Sequence, residues 1–325
     1  MSSKHQLAAI GIDVGGTKIA GGVVLWPSGE VLFPSAVPTL PGRGGEAVLA
    51  STMEIVGLLL ATARANAITI RGVGVGVAEL VDAEGNVTSA QTIHWQHLPI
   101  LKRLSEFCPA QVESDVRASA LAEATFGAGR GFSSFVYVTV GTGISCCLVQ
   151  EGQPLTGARG NALVMASSPL STVCTACGTE LHPILEEFAS GPAIAARYRE
   201  VLSASTSDGV CPPAVRAEEI FNAADSGDLA ATEILRSAGA ALGVSVAFIA
   251  NVLDPCAVVV GGGLGLAGGI YWKSFIESTR THIWSQATRE LPIMRAALGV
   301  NSGVIGAAAK VFATQSICKE ESQST

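Results

Sequence analysis

Charge is scarce in this chain and positive charge scarcer. Of 325 residues 14% are charged, with 20 Lys and Arg against 27 Asp and Glu and a net charge of −7. A protein whose affinity for nucleic acid came from phosphate contacts needs a basic footprint, and none is available here. Nor is there room for a DNA-binding helix-turn-helix ahead of Asp13. The first residues, MSSKHQLAAIGID, lack the apolar core of a secretion signal. The longest apolar helical stretch, 238–250, falls short of the ~20 residues a membrane span needs and ends in Asn251, so it reads as a buried helix. The eight cysteines are scattered through a large chain in which no secretion signal is read, so disulfides are not expected and most should be small apolar core residues. A soluble, cytoplasmic protein with no membrane and no nucleic-acid partner is the expectation. With 48% hydrophobic residues most of the chain must be buried, and the length allows two domains, each with its own core.

What is present is concentrated near the N-terminus. Ile12-Asp13-Val14-Gly15-Gly16-Thr17-Lys18-Ile19 lies between two apolar runs, so Asp-x-Gly-Gly-Thr-Lys is predicted in a tight turn between two strands. Gly15 and Gly16 let backbone N–H groups face an anion without a Cβ in the way, while Thr17 and Lys18 add a hydroxyl and a positive charge. Such a turn cradles phosphate. Asp13 beside it is placed to hold the water shell of a Mg²⁺ riding on nucleotide phosphates. The glycine spacing and the strand-turn-strand setting both differ from a Walker loop.

Strands are predicted at 7–12, 19–25 and 30–33, a helix at 46–65, a strand at 68–77, a helix at 98–107 and a strand ending at Asp115. The pattern then restarts. A helix over 116–126 leads to strands 135–140 and 144–149, whose junction holds Gly141-Thr142-Gly143, a second glycine turn with a hydroxyl. Further on, a strand over 257–260 runs into Gly261-Gly262-Gly263, and a helix over about 304–313 ends the pattern. A phosphate turn at equivalent points of two halves predicts a duplicated α/β unit with nucleotide in the cleft between the halves.

These residues resemble the sugar kinases of the ROK group (bacterial repressors, open reading frames and kinases). The motifs occur in that family's order over nearly the whole chain: the first phosphate turn, Gly74-Val75-Gly76-Val77 leading to Val81-Asp82, Ser114-Asp115-Val116-Arg117 in place of Asn-Asp-Ala-Asn, the second turn, Glu186 to Gly191, and Asp254-Pro255 before the three glycines. The resemblance implies a glucokinase-like enzyme with an actin-like ATPase (ribonuclease H-like) duplicated α/β fold, using ATP and Mg²⁺, and a homodimer. Its small domain would comprise residues 1–116 plus about 303–325, and its large domain 117–302.

Phosphoryl transfer to an alcohol needs in-line placement, neutralised phosphate charge and a base for the hydroxyl proton. Asp115, between a predicted strand and a helix and at the family's catalytic aspartate position, is the candidate base; the alternative is that it only caps the helix. Gly15, Gly16, Thr17, Gly141, Thr142 and Gly143 would bind the phosphates, and Gly261, Gly262 and Gly263 would lie against adenosine. The acceptor side departs from the family. The usual Glu-x-Gly-His reads Val164-Met165-Ala166-Ser167, the Pro-Gly of the sugar pocket reads Ala78-Glu79, and Ser114 and Arg117 replace two asparagines, while Glu186 is kept. A site that loses hydroxyl partners loses discrimination, so an ordinary hexose does not follow.

Glu79 adds a charge that would suit a substrate ammonium, as in an amino sugar such as kanosamine, a substrate of antibiotic pathways; alternatively it is a solvent-facing loop charge. A C7-cyclitol kinase and a sugar-sensing, non-catalytic homologue are the other readings. Relatives hold a structural zinc with a His and three Cys; here Cys174, Cys177 and His182 remain as candidate ligands, and a closed site wants four, which leaves zinc open. His94 and His97, flanking Trp95, are expected in a packed loop.

Overall fold

Strand β1 (Leu7–Val14) is apolar at nearly every position because both of its faces are covered. Ala8, Ile10 and Ile12 point into one core together with helix α1 (Gly45–Ala65), and Ala9 points into another with Val304, Ala308 and Val311 of the final helix (Ser302–Glu321). This is the period-two alternation of a strand between two helical layers. The final helix comes very close. A Cβ on Gly11 would stand 1.9 Å from the Val304 carbonyl oxygen, and one on Gly74 1.7 Å from that of Ala307, so only glycine admits it.

The computed structural model describes residues 6–173, 178–205 and 215–321. They divide into two units, the first built from 6–133, 147–162 and 297–321 and the second from 134–146 and 163–296. In the first, β1 lies in a sheet with β2 (Lys18–Trp26), β3 (Val31–Pro38), β4 (Thr69–Val77) and β5 (Ala110–Ser114), in the order β3-β2-β1-β4-β5. β1, β4 and β5 are parallel, and their register pairs Asp13 with Gly76 and Val77 with Ser114. The carboxyl ends of these strands therefore lie side by side, and in open α/β sheets that is where ligands bind. Helix α2 (Ile100–Ser105) precedes β5, and α3 (Asp115–Phe126) follows it without a linker.

In the second unit, β6 (Ser134–Val140) turns through 141–143 into the start of β7 (Ile144–Gln150), whose residues 147–150 belong, like the short β8 (Gln153–Pro154), to the first. A ribbon of β9 (Thr172–Val173) and β10 (Glu180–Leu181) precedes helices α4 (Leu185–Ala189), α5 (Gly191–Ser205), α6 (Ala217–Asp225) and α7 (Leu229–Leu253). Strand β11 (Val258–Gly261) pairs in parallel with β6. After α8 (Gly262–Ala267), α9 (Gly269–His282) and α10 (Gln286–Arg289), β12 (Ile293–Arg295) pairs with β11 on its other side.

The buried helix expected over 238–250 is longer than its apolar run suggests. Asp228 caps it by accepting the Ala231 N–H, and the exposed pair Glu233 and Arg236 carries it across a polar stretch, giving 25 residues. By length and composition α7 and α1 would both be able to cross a membrane. Each has a buried face: α7 packs on α9 through Gly239 and Gly243, and α1 packs on the first sheet through Val48, Leu49, Ile55, Val56 and Leu59.

Candidate active site

The turn after β1 is closed by the Gly15 N–H donating to the Lys18 carbonyl at 3.1 Å. Thr39, directly after β3, braces it, its hydroxyl donating to the Gly15 carbonyl at 2.6 Å and its N–H to that of Thr17 at 3.0 Å. Among the described residues no hydrogen bond uses the Gly16 or Thr17 N–H, and the Thr17 and Lys18 side chains are exposed. Unspent donors beside a cation are what an anion-binding turn requires. Asp13, directly before the turn, is held up to about 6, chiefly by burial and against the pull of Lys18. Gly303, at the start of the final helix, lies against it: a Cβ there would stand 2.6 Å from the Asp13 carboxyl carbon.

Asp115 is the first residue of α3, and the cap position belongs to Ser114, whose side chain makes no capping bond. A helix starting at Val116 and capped by Asp115 is thus corrected by one residue. The Asp115 carboxylate accepts the Val116 N–H at 2.7 Å. Its pKa is pushed up to about 7, first by burial, then by the like charge of Asp13 and, less, of Glu79. A carboxyl group half ionised near neutral pH is matched to taking a proton from an alcohol as a new bond forms. The Ser114 hydroxyl beside it is buried with no hydrogen-bond partner among the described residues.

Glu79 is 6% exposed, so it is not a solvent-facing charge. Its carboxylate accepts the Ser89 hydroxyl and the N–H groups of Gln91 at 2.9 Å, Thr92 at 2.7 Å and Ile93 at 2.6 Å. These bonds outweigh desolvation and keep its pKa below the ordinary glutamate value. Arg117 is equally buried. Its guanidinium pairs with Glu113 at 2.5 Å and donates to the carbonyls of Gly160 at 2.8 Å and Val81 at 2.6 Å, while Lys310 reaches the other Glu113 oxygen at 2.9 Å. Two of the departures on the acceptor side are therefore staples between loops of the first unit. Glu113 lies on β5 and Arg117 on α3, so their spacing of four is not a helix-face pair that a sequence announces, and the carbonyl partners were not readable either. Trp95 is fully buried, its indole N–H donating to the Gly45 carbonyl at 3.0 Å, and His94 and His97 on either side are exposed.

In the second unit the Gly141 N–H donates to the Gly143 carbonyl at 2.9 Å, and the Gly141 carbonyl accepts the Gly191 N–H at 2.8 Å. Glu186 reaches this turn, accepting the Ile144 N–H at 2.7 Å and lying where a Cβ on Gly143 would meet it. Thr142 is exposed. Gly261 ends β11, and Gly262, with φ of 80°, starts α8 so close to β6 that a Cβ would meet the Val140 carbonyl at 2.3 Å. Cys174 and Cys177 lie outside the described residues. His182 is exposed with its ring 3.8 Å from Glu180, and among the described residues no cluster of three or more His, Cys, Asp and Glu side chains could hold a metal ion.

A family model described as the ROK family matches residues 9–313. Glucokinase from Thermotoga maritima is 30% identical over 315 residues, covering 93% of this chain and 96% of that protein. The crystal structure of a ROK family glucokinase from Streptomyces griseus in complex with glucose and AMPPNP superposes with a TM-score of 0.75 at 28% identity, covering 93% of this chain and 98% of that one. A putative xylose repressor of Caldicellulosiruptor is 26% identical over 299 residues, covering 88% of this chain and 72% of that protein.

Proposed function

The chain belongs to the ROK family, and from that premise we propose that it is an ATP-dependent sugar kinase, transferring the γ-phosphoryl group to a primary hydroxyl of a sugar-like acceptor with Asp115 as general base. The observation that carries this reading is the Asp115 carboxyl itself, at the carboxyl end of β5 beside Asp13 and raised to about 7. As the acceptor oxygen bonds to phosphorus, its proton passes to Asp115, and the bond from phosphorus to the bridging oxygen breaks to release ADP. Asp115 holds the acceptor hydroxyl before transfer, and the unpartnered Ser114 hydroxyl is available to a second acceptor hydroxyl.

Gly15, Gly16, Thr17 and Lys18 of the first turn, and Gly141, Thr142 and Gly143 of the second, receive the phosphates through N–H groups, hydroxyls and the Lys18 charge. Gly261, Gly262 and Gly263 receive the adenosine. Asp13 fits a Mg²⁺ held through water, since its carboxyl, raised by burial despite Lys18, would be favoured in its charged form by a nearby cation, and the glycine opposite keeps the space clear. Bound there on the nucleotide, Mg²⁺ would neutralise phosphate charge during transfer. Glu186, tied to the second turn, is assigned to the acceptor by family position alone.

For the acceptor, a glucose-like hexose and an amino sugar such as kanosamine are both in keeping with this reading. The amine is favoured by the negative field of Asp13, Glu79 and Asp115; direct pairing with Glu79 is disfavoured because both of its oxygens are already engaged. A C7-cyclitol is in keeping with the loss of Glu and His at Val164 and Ser167. An intact phosphate turn and a base with a raised pKa weigh against a non-catalytic sugar sensor. We further propose a cytoplasmic homodimer. The test is ATP consumption by the purified protein against glucose, amino sugars and cyclitols: turnover with one class supports the reading and identifies the acceptor, and no turnover with any would favour the sensor.

A further inference from the structure

The loop from Ser89 to Trp95 is organised around one side chain. The consecutive N–H groups of Gln91, Thr92 and Ile93 converge on the Glu79 carboxylate, and that of His94 follows at 3.3 Å. Successive backbone N–H groups aimed at one point form an anion-binding concavity, and His94, with φ of 61°, supplies the left-handed residue such a turn uses. Here the anion is covalently part of the chain. The Ser89 hydroxyl adds a donor to the same carboxylate while accepting the Leu80 N–H at 2.8 Å, so the two ends of the excursion are stitched together.

The loop is also held from outside. Trp95 bonds to Gly45, Ile93 is fully buried, and the Thr92 methyl lies so near Gly16 that a Cβ on that glycine would stand 2.9 Å from it. The clamp therefore ends on the first phosphate turn. Four backbone N–H groups and one hydroxyl satisfy a charge that would otherwise be costly to bury.

We propose that Glu79 is a positioning residue, the built-in anion of a backbone nest that locks the 89–95 loop against Gly16 of the first phosphate turn, and that it acts on phosphoryl transfer through this loop rather than by touching substrate. The kinetic part rests on the kinase reading above; the structural part does not. A carboxylate used in this way has a property that a substrate contact lacks. Once removed, it leaves an empty nest into which a small free carboxylate fits.

The experiment compares wild type, Glu79→Gln and Glu79→Ala by amide hydrogen exchange and by kinetics with neutral and amino acceptors, with and without formate. Expected in both variants is exchange at residues 91–93 faster by about tenfold or more, with the amides of β4 unchanged. In Glu79→Ala formate restores the protection and formamide does not. The kcat falls by about tenfold, equally for neutral and amino acceptors, and recovers with formate. Unchanged exchange at 91–93, or no effect of formate on it, overturns the nest. A loss confined to the KM of amino acceptors overturns the positioning role and makes Glu79 an amine contact. If wild type phosphorylates no acceptor, the kinase reading fails while the exchange and formate results still decide the nest.

Discussion

Glu113 and Arg117 are joined by a buried ion pair at 2.5 Å that brackets Asp115 in the chain, one partner on the last turnless stretch of β5 and the other in the first turn of α3. The pair fixes the geometry of the strand-to-helix junction on which the proposed base stands. Removing one partner of a buried pair leaves a charge without compensation. Arg117→Met is expected to lower stability by about 3 kcal/mol in chemical denaturation, with Lys310 limiting the loss. In the double variant Glu113→Gln with Arg117→Met much of that loss returns, a coupling that a double-mutant cycle reads directly.

The raised Asp115 pKa has opposite consequences for activity and for stability. A base must be ionised, so kcat/KM is expected to rise with pH through an acid limb near about 7. For stability, a carboxyl whose folded pKa lies above its unfolded value of 3.8 binds more protons folded than unfolded in the interval between them. Its contribution is therefore present at low pH and is lost as pH rises from about 4 to about 7. Asp115→Asn removes that loss. Its melting temperature should exceed that of wild type at pH 8, by a gain of about 1 kcal/mol, and the difference should shrink at pH 5.

Gly303 meets the Asp13 carboxyl carbon at 2.6 Å from where a Cβ would stand. Gly303→Ala must push the carboxylate aside or lift the final helix. The expected outcome is a fall in kcat/KM of about tenfold with a higher Mg²⁺ concentration for half-maximal rate, and an overpacking cost of about 1–3 kcal/mol in stability. Titrating Mg²⁺ at saturating ATP separates the two effects.

The fold was legible where local chemistry decides it. The apolar β1, the turn at Gly15 and Gly16 and the second turn at Gly141 to Gly143 read correctly, because a buried strand and a glycine turn each announce themselves within a few residues. Asp115 was legible to within one residue as the strand-to-helix junction, read as the strand's end where it is the helix's first residue. Other features depend on partners far away in sequence. Glu79 read as a charge for substrate or solvent, since nothing local says that the N–H groups of residues 91–93 fold back onto it. Gly303 carried no signal at all, because its partner Asp13 lies at the other end of the chain. Helix α7 read short because Glu233 and Arg236 interrupt the apolar run; paired with each other on an exposed surface, they do not interrupt the helix.

The most direct test of the account is the rate of phosphoryl transfer from ATP to the best acceptor of the panel, wild type against Asp115→Asn, at pH 8 with Mg²⁺. A positioned general base contributes about 10²–10⁴ in rate, so kcat is expected to fall by that factor while ATP still binds. Undiminished turnover in the Asn variant would contradict Asp115 as the base, and with it the reading of the site.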